Sequence, residues 1–434
     1  MPDWAGCFLT NWPASGGGPG GVILAGGIEQ VNTKRPGDGM MSQMDGDIYL
    51  DYAAGAALHP AALEAYASAD VPANPHALHR LGRRARAVLD QARADVAEAT
   101  GAGPAEVIFT SGGTEADGLA VQGIYLARQS GRRRPYLLIG ATEHPAVREN
   151  ARLMESRGGQ VVEIPVDSAG VVSLAKLERH LVRHGAETAL ISVMAANNET
   201  GTLQPVDAVV ELAGLHGVPV HSDWVALLRK QRLDFGASGL AAVALSAHKV
   251  GGPVGLGVLL VQRRVGLEPL IGGGGQERDV RSGTVDARAA AAFAAVLRQD
   301  LESAAELDQL LTPLDELISS HPALTARTPA WGHLPGLRNF TVADARGETM
   351  VYLLDKAGLA VSTGSACSAG VAEPSHVLAA MGLDQATCLS AIRVSIGPGT
   401  TPEDISRLIE ALPEAVDRAQ AAESGPAKPK HSRT

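Results

Sequence analysis

The stretch LSAHKVGGPVGLGVLLV, Leu245 to Val261, sets Lys249 directly after an apolar run and behind His248. A lysine in such a place is ordinarily a solvent-facing charge. A second apolar run, VPVHSD, ends in Asp223, so two parallel strands can each deliver one polar group to the carboxyl edge of a sheet. That edge is where α/β proteins bind ligands. An amine and a carboxylate there suit pyridoxal 5'-phosphate, whose aldehyde takes a lysine as a Schiff base and whose protonated ring nitrogen takes an aspartate.

The phosphate of such a cofactor needs donors. TSGGTEADG (Thr110 to Gly118) offers a Gly-Gly turn opening a helix. There the backbone N–H groups of Gly113 and Thr114, with the Thr114 hydroxyl, can meet an anion at the positive helix end. The same residues serve elsewhere merely as a helix cap. TEHPAV supplies His144 after the run YLLIGA. Its imidazole can stack on a ring and shuttle protons, or it can be a hydrogen-bonded loop residue.

The elements that must position these groups follow from periodicity. GRRARAVLDQARADVAEAT (Gly82 to Thr100) places apolar residues at helical spacing, and EVIFTSGGTEADGLAVQGIYLAR (Glu106 to Arg128) runs from a strand through Gly-Gly into a helix. Further short apolar runs follow: YLLIGA, QVVEIPV, TALISVM, VPVHSD, AVALSAH and GVLLV. Strands this apolar, separated by helical segments, predict an α/β fold whose large domain has a mainly parallel sheet flanked by helices. After about Gly283 the character changes. A single long Ala-rich helix is predicted over TVDARAAAAFAAVLRQDLESAAELDQLL, then shorter strands in LRNFTVA, LAVSTGSA and AIRVSIG, then a closing helix, TPEDISRLIEALPEAVDRAQAA. This is a smaller α+β domain, and a cleft between the two is the expected place for chemistry.

The expected boundaries are a disordered extension over 1–46, a segment over 47–60 associated with the small domain, the large domain over 61–300, the small domain over 301–423 and a flexible tail over 424–434. Composition narrows the function classes. With 47 acidic against 37 basic residues and a net charge of −10, the chain lacks the positive field that attracts nucleic acid or anionic lipid, and GRRRP reads as a solvated turn. No apolar run reaches the roughly 18 to 20 residues of a membrane helix. Three cysteines, Cys7, Cys367 and Cys388, are too few for a disulfide scaffold and point to a reducing cytoplasm. No CxxC or His/Cys spacing marks a metal site.

In their order along the chain these pieces resemble the cysteine desulfurases, class V aminotransferase-like enzymes of the fold-type I pyridoxal-phosphate superfamily. The resemblance is carried by YLDYAA, NPHALHRLGR, FTSGGTEADGLA, TEHPAV, MAANNETGTLQP, HSD, SAHKVGGPVGLG, GGGQERDVRSGT, STGSACSAG and IRVSIG. It implies a Schiff base on Lys249, pairing of Asp223 with the pyridine nitrogen, and stacking and proton exchange by His144. Thr114, Ser246 and His248 would hold the phosphate with the Gly113 backbone, joined by Thr284 from the other subunit of a homodimer. Asn198 would lie beside the phenolic oxygen and the substrate, and Arg393 would clamp the substrate carboxylate in the bidentate geometry guanidinium favours.

The resemblance further implies that Cys367 attacks the sulfur of L-cysteine, giving L-alanine and a persulfide for a sulfur-acceptor protein, either an iron–sulfur scaffold or a tRNA-thiolation enzyme. Gly, Ser and Ala around Cys367 suit an exposed loop, whereas Cys388 reads as a small buried hydrophobe. A selenocysteine lyase or other β-eliminating enzyme, and a catalytically impaired scaffold, are the alternative functions. The chain also departs from the family pattern. DWVALLRKQRLDF puts Trp224 after the aspartate, Ala226 where a glutamine donates to the phenolic oxygen, and Arg229 at an expected glycine. A missing hydrogen bond of this kind costs on the order of 1 kcal/mol, and Trp224 is expected to need room beside the cofactor. Gly55 and Ala56 stand where the family often has a threonine pair.

Overall fold

The computed structural model describes residues 46–301, 303–364 and 373–424. The extension read as disordered and the tail read as flexible fall outside the described residues except for Gly46 and Ser424, and Cys367 falls outside them as well. In chain order the strands are β1 (Ile48–Tyr49), β2 (Val107–Thr110), β3 (Tyr136–Gly140), β4 (Gln160–Ile164), β5 (Thr188–Ser192) and β6 (Val220–Asp223). They continue with β7 (Ala242–Ser246), β8 (Gly257–Val261), β9 (Leu324–Ala326), β10 (Leu337–Val342), β11 (Leu359–Ala360) and β12 (Ala391–Ser395).

The seven-stranded main sheet has the order β2-β8-β7-β6-β5-β3-β4. β8 runs antiparallel to both its neighbours, and the remaining pairings are parallel. The carboxyl ends of β2, β3, β5, β6 and β7 therefore share one edge. The inner strands are buried on both sides because both faces are covered, whereas the edge strand β4 leaves Gln160 and Glu163 exposed. Phe109, Leu138, Val243 and Leu245 point into one core with Leu89 and Val96 of helix Arg80–Thr100 and Phe293 of helix Ala287–Leu297. The alternate residues Ile108, Leu137, Ala244 and Leu259 meet Leu119 and Ile124 of helix Gly113–Ala127 in the other.

A separate core gathers Ile48, Leu50, Leu311, Phe340, Met350, Ile392 and Leu408 around an antiparallel sheet of order β12-β10-β9. β1 pairs in parallel with β11, so the start of the described chain packs beside its last third. The strand β9 goes beyond the sequence expectation, and of the described part of LAVSTGSA, residues 359–364, only Leu359–Ala360 is strand.

The single Ala-rich helix expected after Gly283 is two helices, Ala287–Leu297 and Ala304–Ser320. Each has its own cap: Asp286 accepts from Arg288 N and Ala289 N, and Ser303 accepts from Glu306 N. A serine followed three residues on by glutamate starts a new helix rather than continuing an old one. The break leaves the Asp300 carbonyl available, and it accepts from Arg229 Nη2 at 2.7 Å.

The loop after β8 is tied back to the sheet by a buried ion pair. Arg93 Nη1 and Nη2 donate to Glu277 Oε2 and Oε1 at 2.7 and 2.6 Å, and Glu277 Oε2 also accepts from Phe109 N at 3.0 Å. Glu277 is 1% exposed, so its removal leaves the Phe109 amide without this acceptor and the Arg93 guanidinium without its counter-charge, with only the Val107 carbonyl still accepting from Nη1. Glu277→Ala should lower unfolding stability by about 3–5 kcal/mol. A denaturant midpoint within error of the parent, at equal slope, would show that this pair does not secure the loop.

Candidate functional site

Along the shared carboxyl edge, residues from six chain segments line one cavity, among them Gly113, Thr114, His144, Asn198, Asp223, Ser246, His248 and Lys249. Two neighbouring strands build its floor: β6 closes on Asp223, and β7 closes on Ser246, with Asp223 in register with Ala244. The turn after β7, Ala247–Val250, carries Lys249, and Gly251 ends that turn in the left-handed region at φ 83°.

Lys249 Nζ donates to the carbonyls of Ala53 and Ala54 at 2.7 and 2.9 Å. Burial, and next the Arg393 charge, push its pKa down to about 8, while Asp51 and Asp223 pull the other way. An amine that loses its proton this readily is prepared for attack on an aldehyde. Asp223 is almost wholly buried, and its Oδ1 accepts from Val225 N at 2.8 Å. Burial raises its carboxyl pKa, opposed by His144, the Val225 amide and Lys249. Among the described residues no basic side chain is hydrogen-bonded to it. A protonated ring nitrogen supplies the missing cation, so the donor set fits pyridoxal phosphate.

His144 caps helix Pro145–Leu153 by accepting from Ala146 N on Nδ1 at 3.1 Å, which leaves its proton on Nε2. Burial lowers its pKa, and Lys249 adds to that against the opposing pull of Asp223. At the other end of the cavity, Ser246 Oγ and His248 Nδ1 are 2.9 Å apart beside the start of helix Gly113–Ala127. A Cβ at Gly113 would come within 3.0 Å of Val225 Cγ2 and 3.4 Å of Ser246 Cβ, so glycine lets the helix start pack closely against the strand ends. The unpaired N–H groups of that helix end suit a phosphate.

Arg393, on β12, is buried, with Nη1 donating to Asn198 O at 2.8 Å and Nη2 to Asp51 Oδ1 at 2.6 Å. Its charge is felt by Lys249, yet it does not line the cavity. Thr284 is exposed and stands apart from the cavity as well. On either side of the segment holding Cys367, Gly364 lies against Glu199, and Ser375 donates to Glu199 Oε2 at 2.5 Å. The described flanks thus adjoin the residue following Asn198.

Sequence reasoning missed a buried acidic group around Asp223. Ligand atoms of Asp117, His144 and Asp223 lie within 4.8 Å of one another, and Glu143 is fully buried with Oε1 accepting from Met194 N. Burial, then neighbouring carboxylates, raise the Asp117 carboxyl well above the usual range. Asp117 lies three residues after Thr114, on the same helix face, so the spacing in TSGGTEADG held the signal.

The departures at 224–229 resolve differently from one another. Trp224 does not line the cavity; it is buried in the main core, on the face opposite Asp223, which corrects the expectation of a ring beside the cofactor. Ala226 does line the cavity. Arg229 adopts φ 62°, which accounts for the expected glycine there; the left-handed conformation costs a non-glycine residue roughly 1–2 kcal/mol.

The aminotransferase class-V family model matches residues 48–408. An IscS-like cysteine desulfurase of Mycobacterium tuberculosis is 42% identical over 383 residues, covering 86% of this chain and 97% of that protein. The chain belongs to the cysteine desulfurase family. A human cysteine desulfurase is 34% identical over 383 residues, covering 86% of this chain and 82% of its own. The structure of a NifS-like protein superposes with a TM-score of 0.78 at 30% identity, covering 86% of this chain and all of that one. One from Rickettsia africae gives 0.76 at 28% identity over 86% and 99%. As in its family, this desulfurase is a pyridoxal-phosphate enzyme acting on cysteine and passing sulfur to acceptors.

Because only the neutral amine of Lys249 attacks an aldehyde, cofactor uptake by the stripped protein should accelerate as pH rises through about 8 and level off above it. Stopped-flow absorbance between pH 6.5 and 9.5 reads this. A flat profile, or one still climbing steeply at the top of that range as for an ordinary lysine, would refute the depressed amine.

Proposed function

We propose that this enzyme converts L-cysteine to L-alanine and carries the released sulfur as a persulfide on Cys367. The observation that carries the reading is the juxtaposition, at the ends of two adjacent strands, of Lys249, an amine more easily deprotonated than an ordinary lysine, and the buried carboxyl of Asp223. When bound, the cofactor supplies an electron sink for the amino-acid carbons. The protein's groups do the rest.

Lys249 would hold the cofactor covalently through its amine, and the same amine, when free, is placed to move a proton as a base. Asp223 keeps the ring nitrogen protonated. Its burial, which disfavours the carboxylate alone, strengthens its attraction for a cation at contact. Thr114, Ser246, His248 and the Gly113 amide hold the phosphate, and the dimer partner's copy of Thr284 completes it. His144 stacks on the ring and offers the Nε2 proton. Asn198 stands beside the phenolic oxygen and takes up part of the role that Ala226 vacates. Arg393 receives the substrate carboxylate. The Cys367 thiolate forms an S–S bond to the substrate sulfur as the carbon–sulfur bond breaks, and the three-carbon fragment gains a proton to leave as alanine.

The proposed organisation is the large domain over 61–300 and the small domain over 301–423, with 47–60 joined to the small one. The proposed assembly is a homodimer, supported by the exposure of Thr284 and by bare apolar side chains such as Leu78 and Val254, at 90% and 87% exposure. No described helix is long and apolar enough to cross a membrane. The net charge of −10 supports an acceptor that is a protein, an iron–sulfur scaffold or a tRNA-thiolation enzyme, rather than nucleic acid, and the sparse cysteines support a cytoplasmic enzyme.

Cys367→Ala should retain the absorbance of the lysine-bound cofactor between ~390 and ~420 nm and its response to cysteine, yet form no protein persulfide. Lys249→Ala should lose that band. Undiminished alanine production by Cys367→Ala in the presence of an acceptor protein would dismiss the persulfide route.

A further inference from the structure

The guanidinium that is to receive the substrate carboxylate already has a carboxylate on it. Arg393 Nη2 donates to Asp51 Oδ1 at 2.6 Å, and Nη1 is engaged by the backbone carbonyl of Asn198. Arg393 Nε is buried with no hydrogen-bond partner, so the group is held but not saturated. We propose that Asp51 is an internal competitor for the substrate carboxylate, occupying Arg393 between turnovers and ceding it to the amino acid. This rests on the assignment of Arg393 as the carboxylate clamp.

The two ends of the pair differ in freedom to move. Arg393 is 4% exposed, and its backbone is bonded both ways to Ser362, N to O at 2.6 Å and O to N at 3.1 Å. The Asp51 side chain is 20% exposed, five times the fraction of Arg393, so it is the partner with room to turn toward solvent. The backbone of the same segment is tied meanwhile: the Tyr49 hydroxyl lies between the carbonyls of Asp51 and Gly55, at 2.9 and 2.8 Å, and shares its one proton between them. Exchange of one carboxylate for another is then a side-chain rotation against a rigid arginine.

The energetics favour a role in release. An amino acid arriving at Arg393 replaces an existing ion pair instead of capturing a bare buried cation, so its affinity is only the difference between the two pairs. Binding energy common to substrate and product does not speed the chemical step. An aspartate that reclaims the arginine therefore hastens the departure of alanine. Asp51 also bears on Lys249, whose ammonium form it stabilises against the opposing Arg393 charge.

The test is a titration of holoenzyme with L-alanine, followed by cofactor absorbance, for the parent, Asp51→Asn, Asp51→Ser and Arg393→Ala. Ethylamine, which lacks a carboxylate, is titrated in parallel. The competitor role requires alanine to bind both Asp51 variants roughly five- to tenfold more tightly, the worth of a part-buried ion pair, with ethylamine affinity unchanged. Equal or weaker alanine binding in the Asp51 variants, while Arg393→Ala loses alanine, would overturn it and make Asp51 a residue that orients the clamp. Equal tightening of ethylamine would overturn it too, by tracing the gain to Lys249. Alanine affinity unaltered in Arg393→Ala would instead remove the clamp assignment and the competitor with it.

Discussion

A carboxylate that is almost entirely withdrawn from water, with no cationic side chain among the described residues hydrogen-bonded to it, is a demand placed on whatever fills the cavity. Asp223 is that group, and β6 delivers it to a place where Asp117 and Glu143 are buried as well. Three carboxyls in one low-dielectric region cannot all be ionised without heavy repulsion. Burial pushes all three upward, Asp117 and Glu143 well above the usual range. Asp223 alone has both His144 and Lys249 drawing it down, so it is the member set to carry the charge.

The remaining architecture serves that pairing. A parallel sheet brings the ends of β3, β6 and β7 to one edge, and hence His144, Asp223 and Lys249, which are far apart in sequence, to one cavity. The second sheet contributes Arg393 from β12, while the segment 51–56 reaches both Arg393 and Lys249 through Asp51, Ala53 and Ala54. A short strap at the start of the described chain thus links the two cations that the chemistry needs, and their mutual repulsion is part of what prepares the lysine.

Much of this was legible before any coordinates. Every strand of the main sheet falls in one of the short runs read from the sequence, and the inner ones stand out because strands covered on both faces have no polar side to blur the signal. Lys249 and Asp223 stood out for the complementary reason, as polar groups ending such runs. Other features depended on information that local pattern does not hold. The helix break at 298–303 rests on the cap at Ser303, which a composition dominated by alanine obscured. The pairing of Asp51 with Arg393 spans most of the chain and leaves no spacing to read. Trp224 could have been placed, since strand alternation sends the neighbour of a cavity-facing aspartate to the opposite face. Its size drew attention away from its direction.

The double duty of His144 has a bearing on how this active site can be dissected. The imidazole Nδ1 is also the acceptor that starts helix Pro145–Leu153. Truncating the side chain therefore removes a proton donor and frays a helix in one stroke, and the resulting loss of turnover would mix chemistry with disorder. Asparagine, which retains a capping oxygen but has no aromatic face, separates the two contributions.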